Sequence, residues 1–326
     1  MNWLPRLSEA RAAVAASGGD KRRAAAALSQ AWGCRVSRDA LDKALIRWAD
    51  EGAQNDAPAP MPEVQPAPVG SVAPSVPARD GLVAILADLH IPQQDSAAVA
   101  CAEAWIVANQ PTTIVLAGDI GEWESCSQHG TSPEAPTYRA DLEAVRAWLK
   151  RLRSIALNAR LIALEGNHET RLTRMLCSVA PSLYGVHSVA IDLGLDALGI
   201  EWIPEDRQPL RISTLDIIHG HQMLRGSGPI YVAAKGVNVY GSPGRTVAIA
   251  HTHKRQMFRR PMADGHAEAI ALPCLRTLST GWLRGEVAGW SHGFGVATVR
   301  AGYRTALEVV DIERGSCVWG GRVYAG

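Results

Sequence analysis

The sequence has few cysteines, no long apolar run and almost no net charge, and each of these features excludes a class of protein. Its six cysteines are scattered without a CxxC pair, which is typical of reduced thiols and not of a disulfide framework. No stretch reaches the about 18 consecutive apolar residues of a membrane span, and the opening MNWLPRLSEARAA lacks the apolar centre of a signal peptide. We therefore expect a cytoplasmic protein that has no membrane partner.

The charge balance gives the whole chain no attraction to polyanions. There are 33 Lys and Arg residues against 32 Asp and Glu residues, and the formal net charge is +1 at pH 7. Attraction to nucleic acid has to come from a local basic patch. The length of 326 residues and the hydrophobic content of 47% predict one large domain and a smaller second one.

Composition divides the chain into three zones. Residues 1–51 are rich in Ala and Arg and are predicted to be helical. Residues 52–80 contain seven prolines among Ala, Val and Ser, which predicts a semi-extended linker without helix or sheet. Residues 81–326 alternate short apolar runs with helical segments, such as 96–109 and 140–155, and are predicted to form the large domain.

Helix-capping residues define two helices of the N-terminal zone. Asp20 is placed to cap a helix that runs through Trp32 and ends at Gly33. Ser37 is placed to cap a second helix that runs to about Asp50.

The second of these helices has an apolar stripe and a basic face. Leu41, Leu45 and Trp48 form the stripe, and three basic side chains lie largely off it: Arg38, Lys43 and Arg47. The arrangement is similar to a helix-turn-helix, in which these three residues would contact DNA. A small helical bundle that docks a partner protein is the alternative.

Five short apolar runs of the large domain end abruptly in metal-type side chains. Buried parallel strands show this sequence pattern when their carboxyl ends carry ligands to one edge of a sheet. The runs are followed by Asp88-Leu89-His90, Gly118-Asp119-Ile120-Gly121-Glu122, Glu165-Gly166-Asn167-His168-Glu169, His219-Gly220-His221 and His251-Thr252-His253. Six of the ten histidines fall in these motifs, so chance is a poor explanation.

The side chains in these motifs suit a dinuclear metal site. In an extended segment the side-chain period is two, so Asp88 and His90 share one face, as do His251 and His253. Carboxylate, amide and imidazole donors favour Mn²⁺, Fe or Zn²⁺ and do not form a thiolate site. The two oxygens of a carboxylate such as Asp119 allow it to bridge two cations.

The ordered motif set resembles the calcineurin-like metallophosphoesterase superfamily over residues 81–326. The segment Trp290-Ser-His-Gly-Phe294 and the alternating strands after it are similar to the C-terminal hairpins of the phage and prophage branch. The resemblance implies an α/β fold, a β-sandwich of two mixed sheets flanked by helices, beside the small all-α N-terminal domain. It also implies two divalent metal ions, of which Mn²⁺ is favoured and Fe, Zn²⁺ or Mg²⁺ are alternatives.

The resemblance further implies a role for each motif residue. One metal would be held by Asp88, His90 and His253, the other by Asn167, His219 and His251, with Asp119 as the bridge. His168 would protonate the leaving oxygen, and Glu122 would orient its imidazole. Arg171 would contact a phosphate oxygen, and His221 would support a ligand or face the substrate.

Two positions depart from the family pattern. Ala250 precedes the last motif where most relatives carry Gly, and its methyl group is expected to crowd the metal or change the backbone angle. Trp123-Glu124 follows Glu122 where the protein Ser/Thr phosphatase branch carries an Arg, which disfavours that branch.

The motifs predict metal-dependent hydrolysis of a phosphoester and leave the substrate open. The basic N-terminal zone favours a phosphodiesterase or nuclease acting on nucleic acid or nucleotides, with DNA as a candidate partner. One alternative is a phosphomonoesterase or protein phosphatase. The other is a DNA-binding protein whose phosphoesterase domain is inactive. The sequence does not determine the oligomeric state.

Overall fold

The computed structural model describes residues 3, 6–47, 73–128, 131, 134–204, 208–224, 231–279 and 289–326. The chain divides into two compact units, Met1–Val69 and Gly70–Gly326. None of the described helices combines the length and the apolar character that crossing a bilayer requires.

The first unit contains three helices, α1 (Leu7–Ala16), α2 (Lys21–Trp32) and α3 (Arg38–Arg47). The predicted caps are confirmed. The carboxylate of Asp20 accepts hydrogen bonds from two backbone N–H groups of α2, and Gly33 ends that helix at a φ of 61°. Ser37 Oγ accepts a hydrogen bond from the backbone N–H of Ala40 at 3.1 Å. The predicted end of α3 at Asp50 and the predicted stripe residue Trp48 lie outside the described residues.

A small apolar core holds the three helices together. Its buried residues are Trp3, Ala10, Ala24, Ala25, Leu28, Val36, Leu41 and Ala44. Arg38 and Lys43 are exposed on α3, and the side chain of Arg47 lies outside the described part of the chain. Contact of this face with DNA stays a prediction.

The second unit contains two six-stranded mixed sheets and a small hairpin. The first sheet has the strand order β1-β6-β7-β8-β10-β9, and the second sheet has the order β12-β11-β2-β3-β4-β5. The strands are β1 (Ser75–Val76), β2 (Gly81–Leu86), β3 (Thr113–Leu116), β4 (Arg160–Leu164), β5 (Ile200–Ile203), β6 (Leu210–Ile212), β7 (Leu215–Ile218), β8 (Thr246–Ile249), β9 (Gln256–Met262), β10 (Gly265–Ala271), β11 (His292–Val299), β12 (Ala306–Ile312), β13 (Ser316–Trp319) and β14 (Arg322–Ala325). The helices are α4 (Ser96–Asn109), α5 (Tyr138–Ile155), α6 (Thr170–Val179), α7 (Val189–Leu193) and α8 (Val232–Tyr240).

Strands of both sheets bury side chains on both faces, which explains their continuous apolar runs. In β2, Val83 and Ile85 enter the core between the two sheets, while Ala84 and Leu86 enter the core shared with α4 and α5. On the other side, α8 packs on β8 through a third core. The layers are therefore helix, sheet, sheet and helix, and the predicted fold class, a two-sheet sandwich flanked by helices, is confirmed.

The end of the predicted linker departs from the expectation of no regular structure. Ser75 and Val76 form β1, which pairs in parallel with β6, and Val76 is buried. Prolines 74 and 77 flank this strand, and β1 lies at the sheet edge, where missing N–H donors are tolerated. Residues 73–80 therefore belong to the second unit, while predicted linker residues 52–72 lie outside the described part of the chain.

Candidate metal centre

The five motifs follow five parallel strand ends. β2, β3 and β4 run parallel in the second sheet, and β7 and β8 run parallel in the first. Their carboxyl ends meet at one edge of the sandwich. The loops are tied to one another there, because the backbone N–H of His90 donates to the carbonyl oxygen of Asp119 at 3.0 Å.

Backbone strain concentrates in these loops. Nine non-glycine residues in the described part of the chain have a positive φ, between 45° and 71°. Five of them are predicted metal ligands: Asp88, His90, Asp119, His251 and His253. A left-handed conformation costs a non-glycine residue roughly 1–3 kcal/mol and persists only where the surrounding structure fixes it, often at functional sites. The strain indicates that these loops are shaped to aim side chains.

The first group of convergent side chains contains Asp88, His90 and His253. Nε2 of His90 lies 3.2 Å from Nε2 of His253, and that nitrogen lies 3.4 Å from Oδ1 of Asp88. All three residues are buried. The ligand atoms of the group lie within 4.8 Å of one another, as a single cation would require.

The second group contains Asp119, His219 and His251, whose ligand atoms meet the same limit. Nε2 of His219 lies 3.0 Å from Oδ1 of Asn167 and 3.3 Å from Oδ1 of Asp119. Nδ1 of His219 donates to the carbonyl oxygen of Ala117 at 2.8 Å, which turns Nε2 toward the site. Asn167 thus joins this group.

Asp119 faces both groups. Its Oδ1 lies toward His219, while its Oδ2 lies 3.7 Å from Nε2 of His90 in the first group. The side chain is almost fully buried. One carboxylate oxygen therefore points to each group, which is the arrangement that a bridging ligand needs.

The residues fit divalent cations. Oδ1 of Asp88 and Nδ1 of His251 are buried and have no hydrogen-bond partner among the described residues. Buried polar atoms without partners are costly and rare, so a ligand is the simplest explanation for them. The donors are oxygens and imidazole nitrogens, which suit Mn²⁺, Fe or Zn²⁺.

The carboxylates attract positive charge to this buried site. Burial alone would lower the pKa of His219, but the neighbouring Asp119 carboxylate raises it to about 9. Burial would likewise lower the pKa of His253, and Asp88 raises it to about 10. For His251, burial and the charge of His219 outweigh the effect of the nearby carboxylates and lower its pKa to about 4.

Glu122, which was predicted to orient the His168 imidazole, contacts two histidines. Oε2 of Glu122 lies 2.8 Å from Nδ1 of His90, and 3.8 Å from Nδ1 of His168. Nδ1 of His168 instead donates to the backbone carbonyl oxygen of Glu122 at 2.9 Å. The contact of Glu122 with His168 is made by its main chain, because the loop turns its side chain toward His90, and an orienting role in catalysis stays a prediction.

Arg171 lies beside His168. Its Nη2 lies 2.9 Å from Nε2 of His168, and its Nη1 donates to the carbonyl oxygen of Glu122 at 2.6 Å. The structure therefore brings Arg171 to the site, next to the imidazole that was predicted to act on the leaving group.

The structure gives Glu169, the last residue of its motif, a role that the sequence did not reveal. Its buried carboxylate accepts hydrogen bonds from five N–H groups, which belong to Asp119, Ile120, Gly121, Gly166 and the indole of Trp123. Trp123 is fully buried. Glu169 fixes the loop that carries Asp119.

Arg276 is the second residue that sequence reasoning missed. It is buried, and its Nη1 lies 3.1 Å from Oε2 of Glu122 and 3.4 Å from Nδ1 of His90. Its Nη2 donates to Gln93 Oε1. Arg276 holds the Glu122 carboxylate against His90.

The structure also locates His221 and Ala250, two further positions that the sequence singled out. His221 is half-buried, and its ring centroid lies 5.4 Å from that of His219 and 5.9 Å from that of His251, so it borders the second group. Ala250 is fully buried in the core between the sheets and is not among the described residues with positive φ. Its methyl group packs into that core, and an effect of Ala250 on metal binding stays a prediction.

Comparison with known proteins gives remote relatives. No family model matches the sequence. The chain is similar to the Gene 54 proteins of Mycobacterium phages L5 and D29, with identities of 28% and 27% over 264 residues, which is 74% of this chain and 98% of each phage protein.

Solved structures give a distant likeness. Vacuolar protein sorting 29 from Cryptosporidium parvum is 16% identical with a TM-score of 0.38, covering 76% of this chain and 98% of that one. The phosphoesterase YfcE from E. coli is 12% identical with a TM-score of 0.36, covering 73% and 97%. The Pseudomonas putida nuclease MPE is 13% identical with a TM-score of 0.32, covering 74% and 86%. At these TM-scores the likeness carries no conclusion about the chemistry of the site.

Proposed function

We propose that this protein hydrolyses phosphodiester bonds in nucleic acid or nucleotides, with two divalent cations at the sandwich edge. The single observation that carries the proposal is the position of Asp119, whose two carboxylate oxygens face the two groups of buried ligands. Asp88, His90 and His253 would hold one cation, and Asn167, His219 and His251 the other.

Bound cations would supply a hydroxide nucleophile at neutral pH and neutralise charge on the phosphate oxygens. The chain itself supplies the proton for the leaving oxygen. Nδ1 of His168 is tied to the carbonyl oxygen of Glu122, and Nε2 accepts from Nη2 of Arg171, so Nε2 carries no proton in this arrangement. Burial lowers the pKa of His168 to about 3, and Nε2 would carry the proton once Arg171 turns to the phosphate and the negative charge of the substrate raises that pKa. Arg171 lies against Nε2 of His168. When substrate binds, Arg171 would contact a phosphate oxygen, and Nε2 would then face the leaving oxygen.

The backbone restricts movement of these groups. The N–H of His168 donates to Oδ1 of Asp119 at 2.9 Å, so the proton donor is fixed to the bridging carboxylate. Glu169 fixes the same loop from the opposite side. The main chain of His168 and the loop of Asp119 are therefore held in place and need no rearrangement when charge develops during the reaction.

The test is hydrolysis of bis-p-nitrophenyl phosphate, p-nitrophenyl phosphate, and single- and double-stranded DNA in Mn²⁺, with and without a chelator. We expect the diesters to be cleaved and the chelator to stop cleavage. Asp119→Ala should abolish activity and lose both cations in metal analysis, because it removes the bridge.

Other outcomes identify the alternatives. Turnover of the monoester alone would indicate a phosphatase. Tight DNA binding without turnover in any metal would favour the DNA-binding protein with an inactive domain. An Asp119→Ala variant that stays active and fully metallated would contradict the proposed site.

A further inference from the structure

A small polar cavity adjoins the metal centre on the side of α6. It has a volume of about 70 Å³ and is lined by Cys126, Ser127, Gln128, Asn167, Arg171 and Arg174. Two of these residues also belong to the site described above. Asn167 contacts the second ligand group through Nε2 of His219, and Arg171 contacts Nε2 of His168. The cavity and the metal centre therefore share a wall.

The cavity is lined by hydrogen-bond donors and contains two guanidinium groups. Arg171 and Arg174 are three residues apart on α6, so they lie on one face of the helix. None of the described residues that line the cavity carries a carboxylate. Its chemistry favours an anion.

The two arginines differ in their partners. Arg171 lies within 3.5 Å of the Glu122 carboxylate, and Arg276 lies 3.1 Å from the same carboxylate, so one negative charge faces both guanidinium groups. Arg174 is exposed, and no carboxylate in the described part of the chain lies within 4.0 Å of its guanidinium. Arg174 therefore contributes a positive charge to the cavity that no acid among the described residues offsets.

We infer that this cavity binds a second phosphate group of the substrate, next to the phosphate that is hydrolysed. A guanidinium offers two parallel N–H groups that match phosphate oxygens. A nucleic-acid strand presents such a neighbouring phosphate, whereas a simple diester does not. The inference rests on the proposed function and narrows its substrate to a phosphodiester flanked by another phosphate.

The experiment compares the dinucleotide TpT with pTpT and TpTp, which carry one additional terminal phosphate at either end. For the wild-type chain, we expect kcat/KM for one of the phosphorylated forms to exceed that for TpT by about tenfold, the effect of one charge-assisted contact. Arg174→Ala should reduce this ratio to near one, and Arg174→Lys should keep part of it. Arg139→Ala is the matched control, because Arg139 is exposed on α5 and pairs with Glu143; it should leave the ratio at the wild-type value.

A binding measurement separates this inference from the proposed reaction. In a His168→Ala background, which retains the ligand residues, equilibrium binding of the favoured phosphorylated dinucleotide should be about tenfold tighter than that of TpT. Adding Arg174→Ala should remove the difference. A binding preference that depends on Arg174, without hydrolysis of any substrate, would support the subsite and contradict the proposed reaction.

The opposite result overturns the subsite alone. Hydrolysis of TpT, pTpT and TpTp with equal kcat/KM would contradict the second phosphate site and leave the proposed reaction intact. So would a preference that Arg174→Ala does not change.

Discussion

The carboxylate of Glu122 is a partner of His90, with 2.8 Å between Oε2 and Nδ1. His90 belongs to the first ligand group, and its Nε2 faces His253 and Asp119. A carboxylate on the far nitrogen of a ligating imidazole fixes its tautomer and its orientation. Arg276 in turn fixes that carboxylate. Glu122 is therefore expected to act on metal binding more than on proton transfer.

Glu122→Gln should weaken metal binding by about 10–100-fold, the usual effect of losing an outer partner of a ligand. Competition with a chelator would measure this, at a pH where the wild-type site is full. Glu143→Gln, on the exposed face of α5, is the control and should bind metal normally. The opposite result would be a Glu122→Gln variant with normal metal affinity that loses only the acid-dependent limb of the pH profile of kcat. It would show that the Glu122 carboxylate acts on proton transfer by His168 instead.

His168→Ala should lower turnover by about 10²–10⁴-fold while both cations stay bound, because it removes a proton donor and no predicted ligand. The loss should depend on the leaving group. A nucleoside alkoxide needs the proton far more than p-nitrophenolate does, so DNA cleavage should fall further than hydrolysis of bis-p-nitrophenyl phosphate. Equal losses on the two substrates, or loss of metal, would argue against the role.

The motifs that converge at the sandwich edge could be found from the sequence because strand-end residues follow short apolar runs. Val83 and Ile85 face one core and Ala84 and Leu86 the other, so β2 is apolar throughout and its end at Asp88 is conspicuous. The same pattern holds at Asp119, where β3 precedes the motif.

The contacts around these ligands could not be found in this way. Arg276 lies 186 residues from His90 along the chain, and no sequence pattern near either residue indicates that they are in contact. Nor does a motif reveal which of two imidazoles Glu122 approaches, since that depends on how its loop turns. The strand at Ser75–Val76 was not predicted because prolines flank it. Prolines are tolerated there only because the strand lies at a sheet edge, and the sequence does not show where the edge is.

Glu169→Gln should destabilise the fold by roughly 2–5 kcal/mol. Oε2 of Glu169 accepts from two backbone N–H groups and Oε1 from three N–H groups. An amide nitrogen in place of either oxygen leaves at least two buried donors unpaired, at about 1–3 kcal/mol each. Urea unfolding in excess metal would measure the change, with the exposed Glu143→Gln within about 0.5 kcal/mol of wild type as the control. A change for Glu169→Gln as small as that of the control would show that the loop is held by other contacts.

Asp141, in the first turn of α5, should make the fold less stable at high pH. Its side chain is fully buried, and burial raises its pKa to about 6, opposed by the backbone of Trp123 and reinforced by the charge of Glu124. In the unfolded chain the same group has a pKa near 3.8. Between these values the folded state holds a proton that the unfolded state has lost. The free energy of unfolding therefore falls as pH rises through this window, and the cost is fully present above about pH 6.

Asp141→Asn removes that titration and should be more stable than the wild type at pH 8, by on the order of 2 kcal/mol. The advantage should shrink as pH falls from about 6 toward about 4, where the wild-type carboxyl becomes neutral in both states. Urea unfolding of both proteins across this range, in constant metal, isolates the group, because every other titrating residue is common to the pair. A difference between the two proteins that does not change with pH would mean that Asp141 is accommodated as a charge.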